Sequence, residues 1–398
     1  KFGEDYLKNR EGDIISRTPG IKFHEEEFEK IRKRGIVVTS EMEVFFDLCP
    51  CKIIGVTGSD GKTTTTTIIS EMLKKEGKTV HLGGNIGTPL LPKINEIHKD
   101  DIVVVELSSF QLISMRRSPD IAVITNLSPN HLDIHKDMTE YIESKKNIIL
   151  HQSAFATTVL NADNEIVKRF SDHSRGKTLF FSRKEETENG SYLDKNGNIY
   201  MCVNEDKIYI MNETDIKIPG KHNVENYLAA ICALWGEVSK ETMLKVAKTF
   251  GGVEHRAEFV RELNGVKYYN DSIASSPTRL ACGTLSLYDQ KIILIAGGYD
   301  KKIPFDELGP IIVDKVKLLI LMGQTSYKIY ESVTKASAYS KDNPRIIRVK
   351  NMEEAVLAAN ENAEFGDIVS MSPACASFDF YKNFMERGNH FKNLVNSL

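Results

Sequence analysis

Short runs of apolar, largely β-branched residues recur along the chain, and most are followed by an amphipathic stretch. Residues 53–57 precede 63–76, residues 317–322 precede 327–334 and residues 367–372 precede 378–387, whereas 291–296 leads into a loop. Strands alternating with helices predict α/β layers around parallel sheets. Gly77 closes the first helix and residues 79–82 resume the sheet. Residues 101–106 and 121–125 are apolar almost throughout, as strands covered on both faces must be. Between 177 and 218 the pattern changes to alternating segments around Asn196-Gly197, a two-residue hairpin signal, beside the charged loop 183–188. That stretch reads as an antiparallel flap on a central domain. From Gly251-Gly252 a fresh hairpin at Asn264-Gly265 opens another strand–helix series, so a domain boundary falls near residue 251.

The length, 398 residues, exceeds one ordinary core and suggests two or three domains. Lysine and arginine number 52 against 55 acidic residues, so no net basic field favours nucleic acid or an anionic membrane. The longest apolar runs, 102–105 and 318–322, are far too short to span a bilayer, and a membrane protein is not expected. Six cysteines without a framework spacing point to a reducing cytoplasm. The opening at Lys1 has neither a signal peptide's apolar core nor a transit peptide's composition, and reads as a cut or unobserved end.

Gly55-Val56-Thr57-Gly58-Ser59-Asp60-Gly61-Lys62-Thr63-Thr64 lies between a buried strand and a helix start. Glycines let backbone N–H groups face phosphate oxygens, Lys62 supplies charge, Thr63 offers a hydroxyl to Mg²⁺, and the helix N-terminus adds its dipole. Val56 stands where the strict phosphate-loop pattern has its first glycine, and the bland alternative is a glycine-rich turn with capping threonines. The strand, loop and helix context favours a nucleotide phosphate.

Glu106 ends the run 102–105, a position from which a carboxylate can hold Mg²⁺ beside phosphates or simply cap the next helix. His131 follows the next strand, as a metal ligand or an ordinary loop histidine. Lys145, four residues after Tyr141 on a helix over 139–150, reads from spacing alone as a solvated charge, like its neighbour Lys146.

Together these segments resemble the Mur ligase family, ATP-dependent amide-forming enzymes of bacterial cell-wall synthesis. The resemblance runs through Thr57 to Thr64, Gly83-Gly84-Asn85-Ile86-Gly87, Glu106-Leu107-Ser108-Ser109-Phe110-Gln111-Leu112, and Asn126-Leu127-Ser128 to His131-Leu132-Asp133. It continues through Tyr141 to Lys145, Gly220-Lys221-His222-Asn223 with Asn226, His255-Arg256, Asn270-Asp271-Ser272, and Ser372-Pro373-Ala374-Cys375-Ala376-Ser377 with Phe384 and Arg387-Gly388. The phosphate loop alone fits folylpolyglutamate synthases and the other cell-wall ligases too, or a nucleotide-dependent switch. The Ser-Ser-Phe-Gln and Ser-Pro-Ala-Cys-Ala-Ser blocks select the D-glutamate-adding branch.

The resemblance implies three domains: a truncated remnant of a UDP-substrate domain (1–46), a parallel-sheet ATPase domain (47–250) and a Rossmann-like domain (251–398), with the active site in the clefts between them. It implies a cytoplasmic monomer using ATP and two Mg²⁺ ions to add D-glutamate to UDP-N-acetylmuramoyl-L-alanine, in peptidoglycan synthesis, and hence cell shape and division. Gly58, Ser59, Asp60, Gly61, Lys62, Thr63 and Thr64 would cradle the phosphates. Thr63 and Glu106 would serve one Mg²⁺, and His131 with a carbamylated Lys145 the other. Asn223 and Asn226 would approach adenine, and Arg256 and Asp271 the phosphates and ribose. Gly20, Asn85 and Ser108 would meet the UDP-sugar, while Lys301, Ser377 and Phe384 frame D-glutamate. Read singly, Ser377 fits a helix cap and Phe384 a core residue. Where many relatives read Asp-Ser-Lys-Ala-Thr, this chain has Asp271-Ser272-Ile273-Ala274-Ser275, so no cationic role is expected there.

Overall fold

The computed structural model of the protein describes residues 12–18, 21, 23–128 and 135–398. The chain divides into two compact units, one of residues up to 216 together with 222–249, the other of 217–221 with 250–398. In the first, β1 (Ile14–Ser16) and β2 (Val37–Thr39) pair in parallel as a small sheet of their own.

The main sheet of this unit comprises β3 (Lys52–Thr57), β4 (Val80–Gly84), β5 (Ile102–Glu106), β6 (Ile121–Ile124), β7 (Thr157–Asn161), β8 (Lys177–Ser182), β9 (Gly190–Leu193), β10 (Asn198–Val203) and β11 (Asp206–Asn212). Their order is β11-β10-β9-β8-β7-β6-β3-β5-β4. Neighbours from β4 across to β9 run parallel, and only the pairs β9–β10 and β10–β11 are antiparallel. Strand β8 thus extends the parallel sheet, and the antiparallel flap that the alternation over 177–218 suggests is confined to β9, β10 and β11 at the edge of that same sheet. The helical residues between β7 and β8 form a crossover long enough to return the chain in the same direction. Asn196-Gly197 does turn one antiparallel pair, β9 with β10.

Val103, Val104 and Val105 of β5 are all fully buried, because Val103 and Val105 face a core with Phe45 and Ile148 while Val104 points to the opposite side. Strand β3 lies between β5 and β6, so the chain reverses its direction of travel across the sheet beside it. A crevice opens at the carboxyl ends of strands at such a point. The loop after β3 occupies it.

The second unit holds a six-stranded sheet of β12 (Glu258–Leu263), β13 (Val266–Asn270), β14 (Ile292–Ala296), β15 (Val316–Leu321), β16 (Arg345–Arg348) and β17 (Ile368–Met371), in the order β12-β13-β17-β14-β15-β16. All pairs are parallel except the β12–β13 hairpin. Its turn is Asn264-Gly265, both with positive φ, as a primed two-residue turn requires. Apolar clusters cover both faces of the sheet. The last helix spans Phe384–Ser397, later than the expected 378–387. Residues after Ser377 first make a turn, in which its carbonyl accepts from the Phe380 and Tyr381 amides, and Asn383 then caps the helix by accepting from the Glu386 amide at 2.8 Å.

Candidate active site

The loop Gly58-Ser59-Asp60-Gly61 joins β3 to the Lys62–Lys75 helix. Gly61 is the N-cap, with φ 79°, and no side chain caps this end, so the first amides of the helix face the loop. A Cβ on Gly61 would come 2.5 Å from Asn226 Oδ1, which makes glycine necessary for packing as well as for φ. The segment leaving β6 braces the loop from below. The Ser59 amide donates to Asn126 O at 2.8 Å, the Asp60 amide to Asn126 Oδ1 at 2.9 Å, and the Thr125 hydroxyl to Asp60 O at 2.6 Å. Asn226, on the Lys221–Leu234 helix, accepts from Thr65 Oγ1 at 3.1 Å and donates to Asn223 Oδ1 at 2.9 Å. The Lys62 ammonium bends over the loop to the carbonyls of Gly58 (3.0 Å) and Ser59 (2.9 Å).

Glu106, at the tip of β5, is 1% exposed. One carboxylate oxygen accepts from Thr63 Oγ1 at 2.7 Å and the other from Asn85 Nδ2 at 2.7 Å. Thr63, Glu106 and Asn85, which come from three separate motifs, are thus one hydrogen-bonded group. Lys145 approaches from the Met138–Leu150 helix and is 2% exposed. Its Nζ donates to Gly58 O at 2.8 Å and Thr57 Oγ1 at 3.2 Å, and lies 5.0 Å from the Tyr141 ring centre. Burial, reinforced by the Lys62 charge and only partly opposed by Glu106 and Asp60, holds this amine well below the ordinary lysine range. Lys146 next to it points away and pairs with Glu143. The two lysines that spacing alone leaves equivalent are therefore chemically distinct.

Ser108 caps the short helix Ser109–Leu112 in a reciprocal capping box with Gln111. Gly20 and His131 lie outside the described residues. Sequence reasoning passes over His135, which the structure places on Ser109 at 2.9 Å and stacks on Phe110. No spacing marked it.

In the second unit Arg256 sits between two left-handed residues, His255 (φ 62°) and Ala257 (φ 41°). Asp271 braces that turn. Its Oδ1 accepts the Ala257 amide at 3.2 Å, while Oδ2 accepts from the hydroxyls of Thr284 and Ser372. Burial pushes its carboxyl up, against these hydrogen bonds and the Arg256 charge. Lys301 is exposed and reaches Ser275. Ser377 follows Ala376, whose carbonyl takes the Tyr299 amide at 3.0 Å, so the loops after β14 and β17 are joined. The Phe384 ring stands edge-on to His255 at 5.8 Å, and its carbonyl accepts from Ser272 Oγ at 2.7 Å. The buried Arg387 ties this edge together, donating to Ser272, Cys375 and Ala376.

A glycine-rich loop between strand and helix, at the switch point of a mainly parallel sheet, defines a phosphate-loop α/β protein. Two family models match the chain: the Mur ligase middle domain over residues 56–234, and the Mur ligase glutamate ligase domain over 255–375. The chain is 54% identical over 400 residues to a UDP-N-acetylmuramoylalanine--D-glutamate ligase from Clostridium acetobutylicum, covering all of this chain and 86% of that protein. It is 54% identical to the protein of the same name from Acetivibrio thermocellus, covering 100% and 85%. Among solved structures, MurF of Acinetobacter baumannii matches with a TM-score of 0.64 at 15% identity, over 90% of this chain and 82% of that one. The UDP-N-acetylmuramate-alanine ligase MurC of Thermotoga maritima matches with a TM-score of 0.62 at 18% identity, over 97% and 85%. The chain belongs to the Mur ligase family.

Proposed function

We propose that this protein is an ATP-dependent ligase joining D-glutamate to UDP-N-acetylmuramoyl-L-alanine, the reaction for which its 54%-identical relatives are named. The observation that carries the reading is the convergence of Lys62, Thr63, Glu106 and Lys145 on one loop at the sheet's switch point. An alanine carboxylate oxygen attacks the γ-phosphorus of ATP, ADP leaves, and an acyl phosphate forms. The D-glutamate amine then attacks the acyl carbon, phosphate departs with the C–O electron pair, and the amine loses a proton to leave the amide.

Such transfer needs placement and charge neutralisation more than covalent help. The uncapped amides of the Lys62–Lys75 helix and the Lys62 ammonium would hold the phosphates, and Asn223 and Asn226 would serve the base. Mg²⁺ prefers one or two carboxylates plus phosphate oxygens, and the pair of Glu106 and Thr63 fits that demand. Among the described residues no three His, Cys, Asp or Glu side chains gather into a metal cluster, so a second ion needs another oxygen ligand. Lys145 can provide it. Burial disfavours the ammonium, and the amine, once deprotonated, adds to CO₂, loses one N–H proton and becomes a carbamate, an anionic oxygen donor that would serve the ion together with His131. When bound, Mg²⁺ offsets the charge that builds between the phosphates and the attacking carboxylate.

Gly20, Asn85 and Ser108 serve the UDP-sugar. In the second unit the roles assigned are Arg256, on the turn braced by Asp271, for phosphate, and Lys301, Ser377 and Phe384 for D-glutamate. One chain carries every residue invoked, so a monomer suffices, and its six free cysteines fit a cytoplasmic enzyme. The test is ADP release with and without UDP-N-acetylmuramoyl-L-alanine and D-glutamate. Release requiring both supports the reading. Release with a folyl acceptor instead, or turnover indifferent to any amino acid, overturns it.

A further inference from the structure

His135 is 5% exposed, and both its ring nitrogens have partners. Nε2 meets Ser109 Oγ at 2.9 Å and Nδ1 meets Glu140 Oε2 at 3.3 Å. Its ring stacks on Phe110 with centroids 5.2 Å apart and an interplanar angle of 7°, and presents an edge to Tyr141 at 5.4 Å. Glu140 is the third residue of the Met138–Leu150 helix, and its carboxylate gathers three segments. Oε2 also accepts the Lys136 amide at 2.9 Å, closing the helix start, and Oε1 meets His24 Nε2 at 2.8 Å. Burial alone would raise this carboxyl, but the Lys136 amide and the two imidazoles hold it below the usual range.

The two ends of this chain of contacts differ in what they serve. At one end are Arg17, Ile21 and His24. The Arg17 guanidinium is buried and donates to Ile21 O at 2.7 Å and Phe110 O at 2.7 Å, so it pins the same Ser109-Phe110 block from the other side. At the far end, one residue beyond Glu140, the Tyr141 hydroxyl meets Ser59 Oγ at 2.9 Å in the phosphate loop. Lys145 lies one helical turn further on the same face. Both readouts of the helix, Tyr141 on Ser59 and Lys145 on Gly58, thus depend on where its first turn sits; Asp137 caps that turn by accepting the Glu140 amide at 2.8 Å, and His135 meets it through the Glu140 carboxylate.

We propose that His135 is a positioning residue that couples Arg17, Ile21 and His24 and the Ser108–Gln111 block to the phosphate loop, by holding the first turn of the Met138–Leu150 helix between Ser109, Glu140 and His24. The substrate this arrangement senses is the UDP-sugar, whose binding at Ser108 loads one end of the contact chain. That kinetic consequence rests on the ligase reading above, while the structural coupling does not. Charge-assisted hydrogen bonds of this kind contribute enough for loss of one to change an equilibrium on the order of tenfold or more.

The experiment uses the whole chain with the buried His135→Ala, the exposed His24→Ala, the double variant of the two, and His135→Gln, whose amide can still reach Ser109. Hydrogen exchange of the free protein is measured at 58–61 and 138–142. His135→Ala should speed exchange in both segments about tenfold or more, His24→Ala in 138–142 chiefly, with exchange in β7 and β8 unchanged and His135→Gln intermediate. Steady-state kinetics should show KM for the UDP-sugar rising in both alanine variants much more than KM for D-glutamate, and non-additively in the double variant. Uniform loosening of the whole sheet would reduce His135 to a core residue. Unchanged exchange at 58–61 in His135→Ala, or strictly additive effects of His24 and His135, overturns the coupling. A wild-type protein that does not ligate overturns the ligase reading, and the exchange data still decide the coupling.

Discussion

Replacing Gly61 by alanine tests the phosphate loop with the least change in chemistry. At φ 79° an L-residue costs about 1–2 kcal/mol, because its Cβ crowds the following carbonyl. The new methyl would also lie 2.5 Å from Asn226 Oδ1, a distance that forces Asn226 aside and adds roughly 1–3 kcal/mol of overpacking. The sum is about 2–5 kcal/mol, or roughly 4–20 °C of melting temperature for a domain of this size. Gly77, past the other end of the same helix, makes the control. Its φ is 90° with nothing within 4 Å of a Cβ, so Gly77→Ala should lose only the conformational part, about 1–2 kcal/mol. Saturating Mg-ATP at a hundred times its Kd stabilises a binding protein by about 2.7 kcal/mol. Scanning calorimetry with and without Mg-ATP should show that shift in the wild type and in Gly77→Ala, and lose most of it in Gly61→Ala. Equal ATP shifts in the two variants would refute the claim that Gly61 and Asn226 shape the nucleotide site.

Lys62→Ala should abolish ligation with a melting temperature within a few degrees of wild type, checked by activity and calorimetry together. Lys145→Ala should be inactive and partly rescued by formate or acetate, whereas Lys146→Ala should stay near wild type; equal damage without rescue would exclude the carbamate. Between the depressed Lys145 value and the ordinary lysine value the folded state binds fewer protons than the unfolded chain, so stability rises with pH across that window. Lys145→Met should flatten that rise in CO₂-free buffer, as measured by urea titrations at several pH values. Lys301→Ala and Ser377→Ala should raise KM for D-glutamate well above any change for ATP; equal shifts would remove the D-glutamate assignment.

Much of this was legible because burial on two faces leaves a strong mark. The consecutive valines 103–105 announce a central parallel strand, and Glu106 after them must fall at its carboxyl tip. The Gly-Lys-Thr loop is equally direct, since backbone shape and charge are both written locally. What stays hidden is tertiary. Lys145 and Lys146 are indistinguishable on a helix until packing puts one beneath the loop and leaves the other on Glu143. His135 has no motif, and its meaning comes from Ser109 and Glu140 arriving from either side. The late start of the final helix turns on whether Asn383 or an earlier residue caps it, a choice made by the turn after Ser377. The left-handed residues flanking Arg256 carry no glycine to advertise them, because Asp271 holds the turn from outside it.

The most direct measurement follows an oxygen atom. UDP-N-acetylmuramoyl-L-alanine labelled with oxygen-18 in the alanine carboxylate is incubated with the protein, ATP, Mg²⁺ and D-glutamate, and the released phosphate is analysed by mass or by its phosphorus-31 isotope shift. An acyl phosphate transfers one labelled oxygen to each phosphate formed, in step with the amide product. Phosphate released without label, or label appearing without D-glutamate-dependent amide, would contradict the ligase mechanism.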